Sequence, residues 1–227
     1  MLGRAAVAMW WNVAPEMQEE FEDWHTHEHM PERLAIPGFL RGTRWRAAGD
    51  APSYFILYEV ARVSVLTGPG YMARLNDPTP WSRKMMPRHL DMVRSLCRVH
   101  ASAGGLIGGA LAKIRFSPAR RGGRAAVDWL AREMLPALSQ RKGLLGGCVL
   151  RAQPQSGPRT TEQEIRGGDQ TADWILLLSG YEERVVDAAA KDLRAELAAR
   201  KSGVDPAAMI YGPAFSLSAR EQDVRCG

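Results

Sequence analysis

Residues 21–45 read FEDWHTHEHMPERLAIPGFLRGTRW and concentrate more reactive chemistry than any other stretch of the chain. Three of the five histidines fall here (His25, His27 and His29), with two tryptophans and three arginines around them. A histidine can take or give a proton near neutrality. A neighbouring carboxylate can orient or tune its imidazole, and an arginine can hold the anionic oxygen that proton removal creates. His29 is therefore expected to act as general acid or base, with Glu28 orienting it. His25 is its companion on the helix, and Arg44 is the holder of an anionic oxygen. Trp24, Trp45 and Tyr58 would wall a pocket for a small molecule, and His89 would cap it.

The element that must position these groups is a helix. At 100° per residue Met17, Phe21 and Trp24 form an apolar stripe, and Glu28 falls on the same stripe. A carboxylate there needs a cavity or a cationic partner, because burying it unpaired is costly. His25 and His29 sit four apart at the edge of the stripe, and His27 points to the opposite flank. Pro31 lacks the N–H that would bond the carbonyl of His27, so the helix is expected to kink or end near His29. The pocket is then expected between the inner sheet face and that helix end. A solvated polar last turn is the alternative reading of the same residues.

The elements alternate along the chain. Gly3–Val13 reads as a buried strand, Pro15 and three glutamates open the helix, and Phe39–Ala47 reads as a second strand. In that strand Phe39, Arg41, Thr43 and Trp45 are expected on one face and Leu40, Gly42, Arg44 and Arg46 on the other. A turn at Gly49–Pro52 leads to a third strand, Ser53–Ala61. Two short helices between Val63 and Arg88 precede a strand at Val93–Ala101. The order β-α-β-β-α-β is the split βαβ arrangement. It repeats after Gly108: strand to Phe116, helix Gly123–Gln140, strand Leu144–Ala152, a long exposed loop Gln153–Gln170, strand Thr171–Tyr181, helix Glu182–Lys201 and strand Met209–Ser218. Each half would be a four-stranded antiparallel sheet with its helices on one face. All five histidines lie in the first half.

The pattern F-x2-W-x4-H-x-P at Phe21, Trp24, His29 and Pro31, followed by the Pro37-Gly38-Phe39 turn, resembles the dimeric α/β-barrel superfamily, and within it the EthD-like branch. At position 25 this chain has His where that branch usually has an aromatic. The resemblance covers roughly residues 5–102 and, in element order, the second half. It implies an α+β fold in which two tandem ferredoxin-like βαββαβ halves form a dimeric α/β-barrel within one chain. Residues 1–103 would carry the polar site and 104–227 a degenerate copy. It also implies a small-molecule enzyme of isomerase, cyclase, lyase or cofactor-free monooxygenase type, acting on an aromatic or polyketide-like substrate.

Two other readings stand beside this one. His25 and His29 could hold a metal with His89 or Glu28 completing the set, or one of them could ligate haem, as in other members of that superfamily. A non-catalytic ligand carrier or structural module is the remaining reading.

Composition limits the other classes. At 227 residues and 45% hydrophobic content the chain can bury a sizeable core. The net charge of +5 is scattered in short clusters such as Arg120-Arg121, without the motifs of nucleic-acid recognition. Three distant cysteines suit a reducing cytoplasm, and no run is long enough for a membrane span. No glycine-rich nucleotide loop follows a strand, so no cofactor is expected. The expected assembly is a monomer with an internal pseudo-dimer, or a homo-oligomer.

Overall fold

Alternation along β1 (Ala5–Val13) sends Ala5, Val7, Met9, Trp11 and Val13 into one apolar core. The computed structural model describes residues 1–48, 53–119, 123–155, 158–204 and 209–226, the last four as backbone alone. The expected turn at Gly49–Pro52 and the Arg120-Arg121 cluster lie outside these residues. After β1 come α1 (Gln18–Trp24), a π-helical turn His25–His29, α2 (Met30–Leu34), β2 (Phe39–Ala47) and β3 (Ser53–Val60). Then follow α3 (Pro69–Asn76), α4 (Pro80–Met85) and β4 (His89–Gly104). The order continues with β5 (Ala110–Ser117), α5 (Gly123–Trp129), a second π turn Leu130–Met134, α6 (Leu135–Gln140) and β6 (Leu144–Ala152). The remainder is α7 (Thr161–Ile165), β7 (Trp174–Gly180), α8 (Glu183–Ala199), β8 (Gly203–Val204), β9 (Met209–Ser218) and α9 (Ala219–Cys226).

The chain forms two compact units. One comprises Leu2–Arg98, Gln153–Thr171 and Ala214–Gly227. Its antiparallel strands run in the order β4-β1-β3-β2, and its core joins Phe21, Trp24, Met30, Tyr54, Tyr58 and Tyr71 to the β1 side chains. The other comprises Met1, Val99–Ala152 and Ala172–Pro213. There β6-β7-β5-β9 is the antiparallel order, β8 also pairs with β5, and α8 buries Val186, Ala189, Ala190, Leu193 and Leu197.

The helix does not end at Pro31. It runs on through Leu34, and the π turn at His25–His29 absorbs the proline's missing donor by widening the turn just before it. The second unit repeats the device, with the π turn Leu130–Met134 placed directly before Leu135-Pro136. Trp24, Glu28, Pro31, Gly38 and Gly42 recur at one constant offset as Trp129, Glu133, Pro136, Gly143 and Gly147. The strand that follows is bulged in both units, between Phe39 and Arg41 and between Leu144 and Gly146. The first bulge overturns the expected alternation of β2. Phe39 and Arg44 now share the helix-covered face, and Trp45 lies on the other, stacked on Phe55.

The expected exposed loop Gln153–Gln170 is also corrected. It is bonded along β4 at both ends, through Gln153 N–H to the Leu96 carbonyl at 2.7 Å and Gln170 N–H to the Met92 carbonyl at 3.0 Å. Between these points it forms α7, started by a capping box of Thr160 and Gln163, and it buries Glu162.

The turn from the proline-bearing helix to the next strand rests on a glycine in both units. Gly38 has φ +98° and accepts from Ala61 N–H at 2.8 Å. Gly143 has φ +84° and accepts from Tyr181 N–H at 3.0 Å. A Cβ on Gly38 would meet Val65 at 2.7 Å. Gly38→Ala should therefore destabilise the chain by about 1–3 kcal/mol in urea unfolding, and adding Val65→Ala should recover part of the loss. A neutral Gly38→Ala would show that the turn tolerates a side chain.

Candidate functional site

The π turn sets which side chains face the sheet. It brings both His25 and His29 inward, 0% and 8% exposed, while His27 stays outside against Asp23. The His29 ring lies 4.4 Å from Trp24 and 5.8 Å from His25, centroid to centroid. His89, at the start of β4, sits 4.6 Å from Trp11 and 5.7 Å from Trp24. These rings edge a cleft of about 20 Å³ on the helix-covered face of the sheet. Met9, Trp11, Tyr58, Met92 and Arg94 contribute from the strands, Trp24, His29 and Arg33 from the helix, and Glu162 from α7. A space of this size holds about one water.

Four of the eight residues expected in the site meet here: Trp24, His29, Tyr58 and His89. His25 lies behind them, its Nε2 3.4 Å from the Tyr58 hydroxyl. Glu28 does not face the cleft. Its carboxylate accepts from Trp24 Nε1 at 3.2 Å, from the Thr79 hydroxyl at 2.5 Å and from the Ser82 hydroxyl at 3.4 Å. It thus fastens the start of α4 to the first helix. Thr79 also caps α4 by accepting from Ser82 N–H. Arg44 donates to the Glu22 carbonyl at 3.0 Å and lies over Phe21 and Phe215. Trp45 belongs to the opposite sheet face. Among the described residues no group of three or more His, Cys, Asp or Glu side chains is placed to hold a metal ion.

Sequence reasoning missed the charged half of the site. Arg33 is 3% exposed and pairs with Glu162. Arg166 meets the other oxygen of Glu162 at 3.3 Å and forks onto Asp169 at 2.9 Å on each arm. Burial opposes the charge on Arg33, but Glu162, Tyr71, Glu32 and Tyr58 together outweigh it and raise the guanidinium pKa. Arg94 donates to the Tyr71 hydroxyl at 2.8 Å. One signal in the sequence pointed this way: Thr160-Thr161-Glu162-Gln163 has the S/T-x-x-E/Q form that starts a helix. Nothing in the loop's composition showed where that helix docks.

The histidines are held neutral. Burial, then Arg44, His89 and Arg33, push His25 well below the ordinary range. Burial and Arg33 do the same for His29, and burial with Arg166 takes His89 down to about 3. Burial pushes the Tyr58 hydroxyl far up, so it stays protonated. Among the described residues, Nδ1 of His25, Nδ1 of His29 and both ring nitrogens of His89 lack hydrogen-bond partners. The imidazoles therefore keep free lone pairs beside fixed positive charge, which opposes their protonation until an anion offsets it.

No protein-family model matches the sequence, and a search of curated proteins finds no match. Solved structures do match in fold. An anthrone oxidase-like protein superposes at TM-score 0.66 with 13% identity, covering 96% of this chain and 94% of its own. A putative monooxygenase from Fusobacterium nucleatum gives 0.59 and 8%, covering 96% of each chain. A haem-binding protein from Thermus thermophilus gives 0.53 and 12%, covering 99% of this chain and 95% of its own. The fold is mixed α+β, of the dimeric α/β-barrel type. Among the described residues no helix is long and apolar enough to cross a membrane.

Depressed histidine pKa values fix the sign of the pH response. Above about pH 7 these rings are neutral whether folded or unfolded and add no pH dependence. Below the unfolded value of 6.5 the unfolded chain takes up protons that the folded chain refuses, so stability falls with pH. His89→Phe should reduce the slope of unfolding free energy between pH 6 and 4 by about 1.4 kcal/mol per pH unit. Urea titrations at several pH values measure it, and an unchanged slope would contradict the assignment.

Proposed function

We propose that the chain is a small-molecule enzyme of the EthD-like type that moves a proton through His29 on an aromatic or polyketide-like substrate. The observation that carries this reading is a neutral imidazole with an unpartnered Nδ1, beside a cleft that also holds Arg33, Arg94 and Arg166. A proton taken from an acidic C–H or phenolic O–H leaves negative charge on the substrate's oxygen. Guanidinium groups already in place stabilise that charge without reorganising. His25 lies behind the cleft against Tyr58, whose hydroxyl stays protonated on the cleft wall.

The same proton abstraction serves isomerisation, cyclisation or lyase cleavage. Where dioxygen meets the resulting carbanion it also serves oxygenation: a CH2 becomes C=O, one oxygen atom stays on carbon and the other leaves as water. The anthrone oxidase-like and monooxygenase neighbours favour this last chemistry. No step in it calls on a cofactor. The reading assigns the site to residues 1–103, with the loop after Ala152 completing it, and treats 104–227 as a degenerate tandem copy. Leu130 and Met134 of that copy stand where the first unit has His25 and His29.

The test uses anthrone, whose CH2 is flanked by two aromatic rings, in deuterated buffer. Exchange of that CH2 is followed by NMR under nitrogen and quinone formation by absorbance in air. The chain should accelerate exchange, and His29→Gln should lower the rate at least about 100-fold with little change in melting temperature. Equal exchange by His29→Gln would remove His29 from the chemistry. If anthrone and related ketones and phenols bind without exchange, the ligand carrier becomes the better reading.

A further inference from the structure

We infer that the chain binds an apolar organic carboxylate in a second cavity of the same unit, with Arg94 as the anchor for its charge. This cavity measures about 410 Å³, within the range that holds small organic ligands. Leu66, Met72, Leu75 and Leu96 give it apolar walls, and Gln155 and Gln163 of the loop after β6 line it as well. Arg94 lines both this cavity and the cleft beside His29.

The argument rests on how the buried arginines are paired. Arg33 and Arg166 each have a carboxylate partner, and so meet the cost of burying a guanidinium. Arg94 is buried as well, at 3% exposure, and its partners among the described residues are neutral. It donates to the Tyr71 hydroxyl at 2.8 Å and to Gln155 Oε1 at 3.5 Å, and lies 5.9 Å from the Tyr71 ring centroid. Among the described residues no carboxylate forms an ion pair with it. A buried cation whose counter-charge is missing, at the wall of an apolar cavity, is complementary to a ligand that brings one negative charge on an apolar body. A phosphate carries more charge than one buried guanidinium balances, whereas a carboxylate matches it. The exposed Arg159 adds positive charge at the rim.

The inference deepens the proton-transfer reading and rests on it in one respect, the fate of the bound molecule. The cleft beside His29 admits one water-sized group, so the body of a substrate must lie elsewhere. A carboxylate held by Arg94 would leave the body in the larger cavity and its charged end at the wall shared with the cleft beside His29.

The probe is 1-naphthoate, titrated into the full chain by calorimetry, against methyl 1-naphthoate and 1-naphthyl phosphate. The acid should bind at least tenfold tighter than its uncharged ester and tighter than the phosphate. Arg94→Met should erase the preference for the acid. Met72→Trp, which fills the cavity and leaves the guanidinium in place, should weaken acid and ester alike, and it decides the matter if Arg94→Met does not fold. Equal affinity for acid and ester, a preference that survives Arg94→Met, or binding indifferent to Met72→Trp would overturn the inference. His29-dependent exchange without naphthoate binding would sink this inference alone. Naphthoate binding without exchange would sink the proton-transfer reading alone.

Discussion

A guanidinium under a helix layer must be given a counter-charge, and Arg33 is such a group. Its helix turns it toward the sheet, where desolvation would cost several kcal/mol if the charge stood alone. The first helix supplies only Glu32, whose nearer oxygen is 3.8 Å away. Glu162 supplies the close partner, and it comes from a segment more than a hundred residues later. That ion pair ties the segment after β6 to the first helix, beside the backbone bonds that hold it along β4. To deliver Glu162 the chain must follow β4, start a helix with a capping box, and close the Glu162–Arg166–Asp169 network behind it. The same course along β4 places Gln155 and Gln163 at the larger cavity. A charge requirement at one helix thus shapes the ligand space beside it.

The second unit works as an internal control on what the backbone does and what the side chains do. It has the same α–π–α helix, the same proline after the π turn, the same left-handed glycine and the same bulge. Its inward positions are Leu130, Leu135 and Leu138, all in one apolar core with Leu176 and Leu178. π turns often mark functional sites, but here one of the two faces only an apolar core. The turn is better understood as the fold's way of carrying a proline inside a helix. It becomes useful in the first unit because histidines occupy it.

How much of this was legible in the sequence follows from which forces act locally. Strand and helix order could be read because apolar periodicity and Gly/Pro punctuation are local: β6 and β9 fall where the pattern puts them, at Leu144–Ala152 and Met209–Ser218. The histidine helix, Trp24, Tyr58 and His89 were legible as a polar group on an apolar scaffold. The orientation of Glu28 was not, since a helical wheel assumes 100° per residue and the π turn breaks that assumption just where Glu28 sits. Strand alternation from Phe39 puts Trp45 on the face of Phe39 and Arg44 on the other, and a single bulge exchanges the two. Arg33, Arg94 and Glu162 were invisible for a different reason. Their role depends on pairing across long separations, and composition marks a charged residue in a helix or loop as solvated by default.

The two kinds of basic group in the site then divide the work by a physical rule. Desolvation acts on both, but a histidine responds by giving up its proton, while an arginine, with a far higher pKa, stays charged and must find an anion. Burial therefore makes His25, His29 and His89 neutral acceptors and, in the same volume, makes Arg33, Arg94 and Arg166 fixed positive charges. Two of those charges are met by the protein's own carboxylates. The third meets no carboxylate among the described residues, and the wall it forms belongs to both cavities. On the proposed reading, such a site has its base and its electrostatic anchor set before any ligand arrives. The guanidinium that no described carboxylate meets would give an anion a reason to enter, and His29, on the same cleft, would take that anion's neighbouring proton.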